Sequence, residues 1–170
     1  GNGGFKYLSL FRNDGNDQFT RLSLPGEING FAWTPVLVDI NADGILDLFN
    51  INDGFNSLLL IGKGANQFEV NGNSNFVNPL LQIGDPKRGV SFGDIDNDGD
   101  LDIWVESTGS KNMTSHFMIN NGDGFQVDLN NRIPRDLLFG PLSSDFYRYG
   151  MARFLDVNND GFADLVMGQI

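Results

Sequence analysis

VSFGDIDNDGDLDIWV, residues Val90 to Val105, encloses a nine-residue core, DIDNDGDLD, that recurs as DINADGILD at Asp39 to Asp47 and as DVNNDGFAD at Asp156 to Asp164. All three fit DxDxDGxxD with Asn allowed at the third place, and their first residues, at 39, 94 and 156, lie 55 and 62 residues apart. A single DG pair reads as a hairpin turn with solvated acids. Three evenly spread copies read as one structural unit used once per supersecondary repeat.

Metal chemistry asks for this pattern. A hard divalent cation such as calcium takes six to eight oxygens at about 2.3–2.6 Å, and alternate residues of a tight loop can turn their carboxylates inward. The candidate side-chain ligands are Asp39, Asn41, Asp43 and Asp47; Asp94, Asp96, Asp98 and Asp102; and Asp156, Asn158, Asp160 and Asp164. Glycine at the sixth place (Gly44, Gly99, Gly161) permits the positive φ that turns the chain back, and the seventh residue (Ile45, Asp100, Phe162) then offers its backbone carbonyl. The middle loop has one carboxylate more than its neighbours and is expected to keep its ion longest during chelation. An EF-hand loop also begins DxDxDG, but it needs Glu at the twelfth place and helices on both sides. Here the twelfth residues are Asn50, Val105 and Met167, and flanks such as VLVD, LDLFNI and LDIWVE read as buried strands.

Composition points the same way. Asp, Gly and Asn make up more than a third of the 170 residues, which disfavours a helical bundle, while 40% apolar content with 15 Phe can fill a core. A net charge of −11 repels phosphate backbones, so nucleic acid is not an expected partner. Only Glu27, Glu69 and Glu106 are glutamates among 22 acids, whereas a merely solvated acidic helix face would use Glu freely. Aspartate is serving a local purpose. No apolar run approaches the length of a membrane helix, so membrane insertion is not expected either. The chain has no cysteine, which removes disulfides, thiolate metal sites and Cys nucleophiles together.

The segment Val90 to Val105 is close to the consensus of the FG-GAP and VCBS-type repeats, and the chain resembles that family of calcium-loop β-propeller blades, which includes the integrin α-subunit head. A second hairpin follows each of the first two motifs in family fashion, SLLLIGKGANQFEV at Ser57 to Val70 and HFMINNGDGFQVD at His116 to Asp128. SLFRNDGNDQFT, Ser9 to Thr20, is the same hairpin without a first hairpin before it. The resemblance implies an all-β fold of four-stranded antiparallel blades, about three in number. It runs as a half blade (strands C and D) at 1–24, blades at 31–71 and 87–129, and a half blade (strands A and B) at 148–170. The rest of a longer chain, or a second copy, is then expected to close the propeller, since three blades fall below the usual four to eight. Alternation of antiparallel strands is expected to put calcium loops and the variable linkers on opposite ends of each sheet.

The resemblance implies three structural calcium ions and a binding or adhesion module, extracellular, periplasmic or at the cell surface, with a protein or glycan partner. Low cytosolic calcium would leave such loops poorly supported. A non-catalytic portion of a larger propeller enzyme, of polysaccharide lyase or dehydratase type, and a structural protein of a surface assembly are the alternatives. Catalysis in this chain is not expected: GxSxG, HExxH, P-loop and GxGxxG patterns are absent, and His116 is the one histidine. The clustered aspartates read as ligands of low pKa rather than as a raised-pKa acid. Trp33, Tyr147, Arg148 and Tyr149, at the ends of linkers, are the candidate partner-binding residues. Trp104, inside a strand pattern, is expected in the core.

Overall fold

The computed structural model describes residues 8–25, 31–53, 57–72, 74–76, 78–81, 87–107, 115–128, 130, 132–133 and 152–168. Twelve strands account for most of them: β1 (Leu10–Gly15), β2 (Gln18–Leu22), β3 (Phe31–Val38), β4 (Asp47–Asp53), β5 (Leu58–Gly62), β6 (Phe68–Val70), β7 (Lys87–Gly93), β8 (Asp102–Ser107), β9 (His116–Asn120), β10 (Phe125–Val127), β11 (Ala152–Leu155) and β12 (Asp164–Met167). They form two four-stranded antiparallel sheets, β3-β4-β5-β6 and β7-β8-β9-β10, and two two-stranded ones, β1-β2 and β11-β12. The protein is all-β, with neighbours in sequence paired in space. Among the described residues no helix is long and apolar enough to cross a membrane.

Side-chain alternation sorts each sheet into two faces. From β4, Phe49 and Ile51 enter the largest apolar cluster, while Leu48 faces the other way into a second cluster with Leu8 and Leu60. From β8, Ile103 and Val105 join the first cluster, and Trp104 turns to a third with Phe117 and Ala152. The two four-stranded sheets therefore meet across Phe49, Ile51, Ile103 and Val105, with Phe49 edge-on to Phe92 of β7 at 5.4 Å between ring centroids. The β11-β12 hairpin covers the far face of the second sheet, where Phe154 joins Trp104 and Phe117. Each fully buried aromatic or aliphatic side chain contributes about 1.5–3 kcal/mol. Trp104 lies in the core, as its strand pattern implies.

The linker after β6 departs from expectation. It carries two 3₁₀ turns, Ser74–Phe76 and Asn78–Leu81. Phe76 packs edge-on against Phe125 at 5.4 Å, and a Cβ on Gly124 would collide with Asn75. This linker thus reaches the β9-β10 turn, on the same end as the aspartate loops, instead of staying opposite them. The reason is apolar: β6 and β10 have three residues each, too few to cover the sheet interface, and Phe76 fills the gap.

Candidate metal loops

Each nonapeptide bridges the first two strands of its sheet: β3 to β4, β7 to β8, and β11 to β12. Within all three, the first aspartate caps the turn. The N–H groups of Asp43 and Gly44 donate to Asp39, those of Asp98 and Gly99 to Asp94, and those of Asp160 and Gly161 to Asp156, at 2.8–3.2 Å. The fifth residue repeats this on a smaller scale, accepting from the seventh: Ile45 to Asp43, Asp100 to Asp98, Phe162 to Asp160. Gly44, Gly99 and Gly161 have φ of 83°, 95° and 88°, as the sixth place requires. The fourth residue is left-handed too, with Ala42 at 55° and Asn97 and Asn159 at 60°. Asparagine tolerates that region and alanine resists it, so the Asn in two of the three loops was a readable signal of it.

The ninth residue is a clamp that sequence reasoning assigned only as a ligand. Asp47 accepts from the Ile40 N–H at 3.1 Å and from the Gly62 N–H at 2.8 Å, joining the start of the loop to the end of β5. Asp102 does the same with Ile95 at 2.7 Å and Asn120, at the end of β9, at 2.8 Å. Asp164 accepts from Val157 at 3.0 Å, and among the described residues the β11-β12 sheet has no third strand to supply the other donor. Asp47 and Asp102 are fully buried. Burial raises both carboxyls above their ordinary value, opposed by the two N–H bonds on each and reinforced by the neighbouring acids, Asp43 and Asp39 or Asp96 and Asp98. At the ninth place desolvation outweighs the backbone donors.

In the middle loop Asp94, Asp96 and Asp102 each place one carboxylate oxygen within 4.8 Å of the others. Asp98 is turned to the Asp100 N–H and stands outside that trio. In the outer loops Asn41 and Asn158 hold the third place, and each donates its amide to the fifth residue, Asp43 or Asp160. The three-carboxylate cluster can hold a metal ion.

The partner-binding candidates fare differently. Trp33 lies in β3, where pairing with β4 slips between Ala32 and Thr34. Its side chain, and Tyr147, Arg148 and Tyr149 altogether, lie outside the described residues. His116 opens β9 half-buried, and burial lowers its pKa.

Comparison with protein-family models, with curated proteins and with solved structures gave no match.

Proposed function

We propose that the chain is a calcium-stabilised module built from FG-GAP-like propeller blades, acting outside the cytosol as a binding or adhesion surface. The observation that carries the reading is the convergence of Asp94, Asp96 and Asp102. Three like charges that close repel one another, and a hard dication relieves the repulsion at all three oxygens together. Asp39, Asn41, Asp43 and Asp47, and Asp156, Asn158, Asp160 and Asp164, would hold further ions in the outer loops, with the carbonyls of Ile45, Asp100 and Phe162 completing the shells. The metal's role is structural. It would neutralise the loops that tie each strand pair together, leaving other surfaces free for a protein or glycan partner. Extracellular calcium, at millimolar concentration, would keep even sites of about 10 µM affinity filled and add about 2.7 kcal/mol for each.

Calorimetric titration of the full chain with calcium tests this. Asp96 is exposed and takes no part in the backbone capping, so Asp96→Asn leaves the loop fold in place. Tight binding in the wild-type chain, weakened at least tenfold for the strongest site in the variant, is the expected outcome. A wild-type chain that binds no calcium would overturn the reading.

A further inference from the structure

We propose that β11-β12 of one chain pairs edge to edge with β1 of a second copy, so that two chains complete each other's two-stranded sheets in the order β11-β12-β1-β2. The inference does not rest on the metal reading. It rests on a packing arrangement made twice in the four-stranded sheets and left open, among the described residues, at β1 and β12.

The β1-β2 hairpin is built like the third and fourth strands of the complete sheets. Asn13 is paired with Phe19 across it as Gly62 is with Phe68 and Asn120 with Phe125. The Asn13 side chain accepts from the Gly15 N–H at 2.9 Å, as that of Asn120 does from Gly122 at 3.1 Å. The β11-β12 hairpin is built like the first and second strands, with its nonapeptide between them. Within one chain the two hairpins form separate sheets, so β1 and β12 each keep an edge that no described strand pairs.

The side chains left exposed are the ones that this pairing would bury. Phe92 of β7 and Phe154 of β11 each stand two residues before a loop aspartate and pack onto the preceding sheet, Phe92 against Phe49 and Phe154 beside Trp104. Leu37 holds that position in β3 and is 46% exposed, lining a groove of about 430 Å³ with Leu10, Leu46 and Phe68. Val166 holds the position of Phe49 and Trp104 in β12 and is 49% exposed. Among the described residues Leu37 meets no counterpart of Phe49 or Trp104, and Val166 presents one. Phe11 and Phe19, 54% and 62% exposed, stand where Leu60 and Phe68, or Met118 and Phe125, are buried or partly buried in the complete sheets.

The register follows from the two finished sheets. Phe49 lies opposite Leu59 and Trp104 opposite Phe117, so Val166 would lie opposite Leu10 of the second copy and Leu165 opposite Phe11. The same register brings the N–H of Asn13 to the side of Asp164 that no described donor fills, as Gly62 serves Asp47 and Asn120 serves Asp102.

Light scattering on the eluting full chain in calcium-containing buffer should give twice the 18.7 kDa chain mass. Val166→Asp and Leu37→Lys should each yield folded monomers, with strand content by circular dichroism unchanged because both side chains are exposed. Combining the two substitutions should restore the dimer through an Asp–Lys contact. In the cysteine-free background, Val166→Cys with Leu10→Cys should form a disulfide between chains on oxidation. A monomeric wild-type chain, a dimer indifferent to both charged substitutions, or a disulfide closing within one chain would overturn the proposal.

Discussion

Asp102 has both carboxylate oxygens committed to backbone donors, Ile95 on its own loop and Asn120 on the third strand, in a fully buried position. Asparagine there keeps one acceptor and turns an amide group against the other donor. A buried N–H left without a partner costs about 1–3 kcal/mol, and bonds to a charged acceptor are worth about 1.5–3 kcal/mol. Asp102→Asn should therefore lower stability by about 2–4 kcal/mol in denaturant unfolding. The same change at Asp164, which has one such donor among the described residues and is only half-buried, should cost under about 1 kcal/mol. Equal losses at the two positions would show that the clamp on the third strand is not what makes the ninth aspartate costly to replace. The motif shows that an acid belongs here. It gives no hint that a strand many residues away supplies half of its bonds.

At the level of elements, the contact between β7 and β11 is controlled by two small gaps. A Cβ on Gly93 would sit 2.5 Å from the Phe154 ring, so Gly93→Ala must push β11 outward, and a loss of about 1–3 kcal/mol is expected. Gly89 leaves room for the Glu106 carboxyl, which a Cβ there would strike. Glu106 accepts the Ala152 N–H and so joins β8 to β11. Burial pushes its pKa up to about 7, against the pull of that bond and of Arg153. An acid whose pKa is higher in the folded than in the unfolded chain holds a proton that the unfolded chain has already released. This group's contribution to stability therefore falls as pH rises from about 4.5 to about 7, and the loss is complete above that window. Glu106→Gln keeps an acceptor and carries no charge. Its melting temperature should gain on the wild type steadily across that interval, and a constant difference between the two curves would show that Glu106 is ionised throughout.

For the molecule as a whole, the three aspartate loops each connect the first two strands of a sheet, so if they bind calcium as proposed, loss of metal should be felt as loss of stability across the whole fold. If the three proposed sites each add about 2.7 kcal/mol at a hundredfold excess over Kd, chelation should remove stability comparable to a domain's entire folding free energy. A melting temperature that falls by well over ten degrees in chelator is expected, and one that does not move would remove the structural role of the ion. Much of the architecture was legible along the chain. Strand positions, the three loops, the left-handed glycines and the burial of Trp104 all depend on alternation and turn chemistry acting over fewer than about ten residues, which a linear reading captures. Tertiary structure alone decided what depends on distant partners. Gly62 and Asn120 lie 15 and 18 residues from the aspartates that they clamp, and Phe76 leaves its linker to cover Phe125. Glu106 acquires its raised pKa only through burial in the folded chain. Leu37 and Val166 look like any other strand residues until the finished sheets show which side chains they lack. Hydrogen bonds and packing across a sheet interface are set by which strands meet, and that is a property of the folded chain rather than of any one segment.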